Sequence, residues 1–93
     1  MEEKFIAAWQ ESRNKAASLD IRMRPIPEDA MKQAHRILTG HRPSDAFDIL
    51  ASRNLLELSL EALAVDKRFT SLFSDEEANA ALLRLLDAGY FLA

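Results

Sequence analysis

SDEEANAALLRLLDAG, residues 74–89, carries both ends of one helix in its own letters. Ser74 followed three residues later by Glu77 is a capping box, in which each side chain satisfies the other residue's otherwise orphaned backbone N–H. Gly89, just past the last apolar repeat, is the residue that accepts the left-handed turn ending a helix. The spacing predicts a helix over about Asp75 to Ala88, with Ala78, Ala81, Leu82, Leu85 and Leu86 facing inward. If Gly89 takes the left-handed position, Tyr90 folds back onto Leu85, leaving Tyr90-Phe91-Leu92 as an apolar end.

The rest of the chain follows the same helical grammar. Phe5, Trp9, Ser12, Ala16 and Leu19 recur at steps of three and four, which predicts a first helix from Glu2 to Ser18. Asp20 to Pro27 reads as an extended connection, because Pro25 and Pro27 disfavour helix at the residues before them. A second helix begins near Pro27 and ends at Gly40. Pro43-Ser44-Asp45 opens a short third one, with Ala46, Phe47, Leu50 and Ala51 on one side. A fourth helix, Leu55 to Val65, is apolar on two stripes and is interrupted only by Glu57, Ser59 and Glu61. So apolar a segment belongs at the centre of the fold. Glu57 and Glu61 form its one polar strip, read as the place where it meets water or is neutralised by Arg53 or Arg68. Residues 66–73 form a connection or a single turn, whose Phe69, Leu72 and Phe73 close one end of the core.

Composition agrees with this grammar. The 93 residues are 48% hydrophobic, with only two Gly and three Pro, which leaves little material for hairpins. The expected fold is all-α: a single domain over residues 1–93, an antiparallel bundle of five helices, or six if residues 67–73 make a turn of their own.

The chain has no Cys, which excludes disulfides, a thiol nucleophile and a Cys-based zinc site. No run approaches the 18 or so apolar residues of a membrane helix, and the start, Met1-Glu2-Glu3-Lys4, is acidic rather than a basic leader. A soluble cytoplasmic protein that does not engage membrane is expected. The two His, His35 and His41, flank Gly40 at a spacing that matches no metal pattern. Two isolated Gly cannot build a phosphate loop, and no Ser stands in a nucleophile motif. No enzyme, metal or cofactor chemistry is expected.

The net charge of −3 is unevenly spread. Between Arg13 and Arg42, seven Lys or Arg face three acids, whereas between Ser44 and Asp87 nine acids face four bases. The simplest account is two solvated faces that attract each other within one bundle. The other is an anionic partner for the basic part. The expected role is a protein-interaction or regulatory module, with Arg22, Arg24, Arg36, His41 and Arg42 as its partner surface and Trp9 as a hydrophobic anchor. The alternative is a nucleic-acid-binding regulator that uses the basic stretch 13–42. Against it, the fourth helix is acidic where a major-groove reader needs bases, and the basic stretch has no aromatic to stack on. The first helix and the C-terminal aromatic end are both candidate homodimer surfaces.

Overall fold

The structure, a computed structural model, describes residues 1–90. Five α-helices succeed one another: α1 (Glu2–Ser18), α2 (Ala30–Thr39), α3 (Phe47–Ser52), α4 (Leu60–Ala64) and α5 (Asp75–Asp87). Single 3₁₀ turns at Leu56–Leu58 and Thr70–Leu72 flank α4, and there is no strand among the described residues. The fold is all-α, and its radius of gyration is 12.1 Å.

α1 buries the stripe its periodicity announced: Phe5, Trp9, Ser12 and Ala16. α2 begins at Ala30, three residues later than its prolines suggest, because Pro27 stays with the extended connection and residues 28–29 form a turn. α3 likewise starts late, at Phe47. Ala46 adopts a left-handed conformation (φ 64°), and Ser44, expected at the helix start, is turned elsewhere.

The leucine-dense stretch is central, as its composition demands, yet it is not one helix. Ser59, fully buried, is extended (φ −78°, ψ 156°); its Oγ donates to the Leu56 carbonyl (2.7 Å) and accepts from the Ala62 N–H (3.2 Å). A serine hydroxyl competes for backbone partners in this way, ending one segment and capping the next. The break lets one run supply two clusters. Leu60, Leu63 and Ala64 join Phe5, Trp9, Leu38, Phe69 and Phe73, whereas Leu56 and Leu58 join Ala16, Ile21, Phe47, Leu50 and Leu85. In the first cluster Phe5 meets Phe69 and Phe73 edge-on at 5.3 and 5.2 Å, the arrangement that aromatic quadrupoles favour.

The second cluster is where three helices end. Gly89 is left-handed (φ 80°), with Tyr90 N–H on the Leu85 carbonyl (2.9 Å) and Gly89 N–H on the Leu86 carbonyl (3.0 Å). That pair of bonds is the Schellman cap expected from the sequence, and Tyr90 packs on the cluster that holds Leu85. The same pair recurs at Asp20 (φ 64°), with Ile21 bonding to Ala16, and at Asn54 (φ 59°), with Leu55 bonding to Leu50. Asp and Asn tolerate this conformation better than other side chains with a Cβ. In each case the apolar residue after the turn folds onto the helix it has just left. Phe91 and Leu92 lie outside the described residues.

α5 has its capping box, with Ser74 N–H on Glu77 Oε1 (2.8 Å) and Glu77 N–H on Ser74 Oγ (3.1 Å), and buries Ala81 and Leu85 as expected, but is rotated from the rest of the expected face. Glu77, Ala81 and Leu85 are buried, whereas Leu82 and Leu86, expected to face the core, are exposed. Two polar contacts fix the rotation. His35 Nδ1 donates to Glu77 Oε2 (2.6 Å), and Arg84 reaches Glu61. With Glu77 and Arg84 turned toward α2 and α4, the leucines on the opposite side face out. No helix among the described residues is long and apolar enough to cross a membrane.

Candidate binding groove

A concavity of about 960 Å³ lies between the connection after α1 and residues 42–49, the loop before α3 with its first turn. Its floor draws on the helices, with Trp9 from α1, Ile37 from α2, Phe47 from α3 and Leu60 from α4. One wall is the proline strap with Met23, Arg24, Pro25 and Pro27, and the other is Arg42 to Ile49.

The strap is non-helical, as its prolines favour, since each fixes its own φ and disfavours helix at the residue before it. It is held where proline leaves amides and carbonyls to bond. Arg13 Nε donates to the carbonyls of Met23 (3.3 Å) and Arg24 (3.2 Å). The Arg24 N–H donates to Asp45 Oδ2 (2.6 Å), a bond that ties one wall to the other.

The second wall is anchored from beneath by Glu61. This carboxylate is fully buried and accepts from the Ser44 N–H (2.8 Å), from the Ser44 hydroxyl and from Arg84 Nη1 (3.2 Å). Arg84 Nη2 continues to the carbonyls of Gly40 (2.7 Å) and Leu38 (3.4 Å), at the end of α2. A cation there also meets the negative end of the helix dipole. One buried acid thus connects α2, the 40–44 loop, α4 and α5. It is not on a strip that reaches water with Glu57. Only Glu57 is exposed, Arg53 bonds instead to the Leu19 carbonyl (2.9 Å), and Arg68 pairs with Asp66 (3.1 Å).

Trp9, Arg24 and Arg42 of the expected partner surface come together in this groove, whereas Arg22, Arg36 and His41 are exposed but do not line it. Trp9 is only 8% exposed and belongs to the core, packed 6.2 Å from Phe5. It is a floor rather than a projecting anchor. Sequence reasoning missed Ser44, Asp45, Glu61 and Arg84 as the residues that set the walls. The one available signal was Glu61 itself, an acid inside an otherwise leucine-rich stretch.

The basic stretch does not discharge itself onto the acidic half. Among the described residues the ion pairs are His35–Glu77, Arg68–Asp66 and Arg84–Glu61, and no Lys or Arg between 13 and 42 takes part in one. Whatever attraction the two faces have is thus not carried by direct ion pairs of those Lys and Arg among the described residues. At the groove, Arg24 and Arg42 stand beside Asp45, whose carboxylate is bonded to the strap, and Asp48, which sits in the first turn of α3.

His35 lies against Phe73 (5.2 Å between rings) and is engaged with Glu77. Burial pushes the Glu77 carboxyl upward, but bonds from Ser74 and the neighbouring His35 outweigh this and hold it below its ordinary value. His41 is exposed on the loop after α2. No group of three or more His, Asp or Glu among the described residues has the disposition of a metal site. No protein-family model, curated protein or solved structure matches this chain.

Proposed function

We propose that this chain is a protein-interaction module whose groove receives a partner segment carrying aliphatic and acidic side chains. The observation that carries the reading is the combination at one place of an apolar floor and unpaired arginines. Trp9, Ile37, Phe47 and Leu60 offer surface whose burial drives association, at roughly 25 cal/mol per Å² before ordering costs. Arg24 and Arg42 offer charges that make no ion pair with a carboxylate among the described residues, beside Asp45 and Asp48 in the same lining. Arg22 and Arg36 extend the positive field and steer an acidic partner toward it, with His41 exposed beside them on the loop after α2. The left-handed Ala46 in the wall supports the same reading, since backbone strain persists only where the surroundings hold it, and it gathers at ligand-binding segments.

The alternative, a nucleic-acid-binding regulator using the stretch 13–42, shares the unpaired cations but makes no use of the apolar floor. Trp9 is the chain's single tryptophan and lies in the groove, so it reports occupancy directly. Titration with a peptide of alternating Leu and Glu should change its fluorescence saturably, and the same peptide with Lys for Glu should not. A retarded band on mixed-sequence duplex DNA that collapses with salt, with no response to the acidic peptide, would establish the alternative instead.

A further inference from the structure

One contact ties the two walls of the groove together, and it is a carboxylate on a backbone amide. Asp45 Oδ2 accepts from the Arg24 N–H (2.6 Å), so an acid of the second wall already rests on the first. Pro25 and Pro27 have no N–H, which leaves Arg24 and Ile26 as the only amide donors from 24 to 27. The bond lies at the exposed surface, open to a competing carboxylate.

The segment that carries Asp45 is fixed at both ends and strained between them. Ser44 is held from beneath, its N–H (2.8 Å) and its hydroxyl both on Glu61, and Phe47 is buried in the core. The Phe47 N–H closes the turn on the Ser44 carbonyl (3.2 Å), with Ala46 at a left-handed position (φ 64°) that favours glycine. Asp45 itself is exposed. A residue with a Cβ gains by leaving the left-handed region, so opening the tip of this turn offsets part of the bond it gives up.

We infer that Asp45 is a latch on the groove: it occupies the Arg24 N–H as an acidic side chain of the partner would, and the partner binds by displacing it. This rests on the reading of the groove given above. Asp45 and Asp48 both set negative charge against an acidic segment, but only Asp45 holds a bond that the segment would use. The guanidinium groups of Arg24 and Arg42, without an ion pair among the described residues, stand in the same lining to receive the incoming carboxylate.

Titration with the alternating Leu and Glu peptide, followed by Trp9 emission at low and high salt, tests this with two variants of equal charge change. Asp45→Ala removes a charge and the bond, Asp48→Ala removes a charge of the same lining alone, and circular dichroism checks that each keeps its helix content. Asp45→Ala should tighten binding about five- to tenfold, the worth of about one net hydrogen bond, and keep most of that gain at high salt. Asp48→Ala should tighten it about twofold at low salt and not at high salt. In the labelled Asp45→Ala chain the Arg24 amide proton, moved upfield by loss of its carboxylate, should return downfield with the Glu peptide and not with Gln in place of Glu. Equal gains in the two variants overturn the latch, since Asp45 would then act only as one charge among others. Weaker binding by Asp45→Ala overturns it too, because the bond would then preorganise the groove, and so does an Arg24 amide that ignores the Glu peptide. A wild type that binds, with no gain in Asp45→Ala, overturns the latch alone, whereas no response from the wild type or either variant overturns the groove reading as well.

Discussion

Glu61→Gln is the perturbation whose consequences the structure specifies most fully. The substitution keeps the shape of a fully buried side chain and removes its charge. Gln can keep the contacts, its amide oxygen standing for Oε2 and accepting from the Ser44 N–H and Arg84 Nη1 and its amide nitrogen donating to the Ser44 hydroxyl, so what is lost is the charge that compensates Arg84. Arg84 is then a charge with 14% of its side chain exposed and only neutral acceptors for partners. Breaking a buried ion pair from one side costs about 3–5 kcal/mol. The carbonyls of Leu38 and Gly40 and the end of α2 retain part of the compensation, so the loss here should be about 2–4 kcal/mol. At about 4–8 °C per kcal/mol for a domain of this size, the thermal midpoint should fall by about 10–25 °C. Urea unfolding followed by circular dichroism measures the loss. Glu61→Gln combined with Arg84→Met, which leaves no orphaned charge and keeps the bonds to Ser44, should recover most of it. A loss under about 0.5 kcal/mol, the level of an ordinary surface change, or a double variant as damaged as the single one, would refute the role assigned to Glu61.

Gly89→Val should destabilise by about 1–3 kcal/mol in the same unfolding assay, since a β-branched residue is strained at φ 80°. Ala46→Gly should act the other way, raising stability by about 0.5–1 kcal/mol through relief of a left-handed Cβ. Glu77 is held below its ordinary value, so its contribution is complete above the unfolded value of about pH 4.3 and is lost as pH falls through the lowered one. Unfolding midpoints against pH should therefore drop in the acid range, and Glu77→Gln should flatten that part of the profile. Asp45→Ala should free the strap from the opposite wall and alter Trp9 emission while leaving the helix content unchanged.

The sequence was most legible where a local rule has one solution. Ser74 with Glu77, and Gly89 before Tyr90, satisfy orphaned backbone groups within a few residues, so no distant neighbour was needed to read them. The stripe of α1 and the burial of Leu56, Leu60 and Leu63 were equally plain, because so much apolar surface has nowhere else to go. Ser59 was harder. One hydroxyl among leucines is compatible with a continuous helix or with a break, and only the buried carbonyl of Leu56 favours the break. The rotation of α5 escaped periodicity altogether. Counting leucines gives every apolar position the same weight, whereas the contacts of Glu77 with His35 and of Arg84 with Glu61 join residues 42 and 23 positions apart. For the same reason the groove was visible only in fragments: Trp9, Arg24 and Arg42 were among the expected surface, but the bonds of Asp45 and Glu61 that bring them together are tertiary.

Amide chemical shifts of the isotopically labelled chain, recorded while the alternating Leu and Glu peptide is added, test the central claim most directly. The account predicts that the amides of Met23 and Arg24, those from Ser44 to Ile49, and the Trp9 indole shift together as the groove fills. Shifts confined to surfaces away from both walls, or none at millimolar peptide, would contradict it.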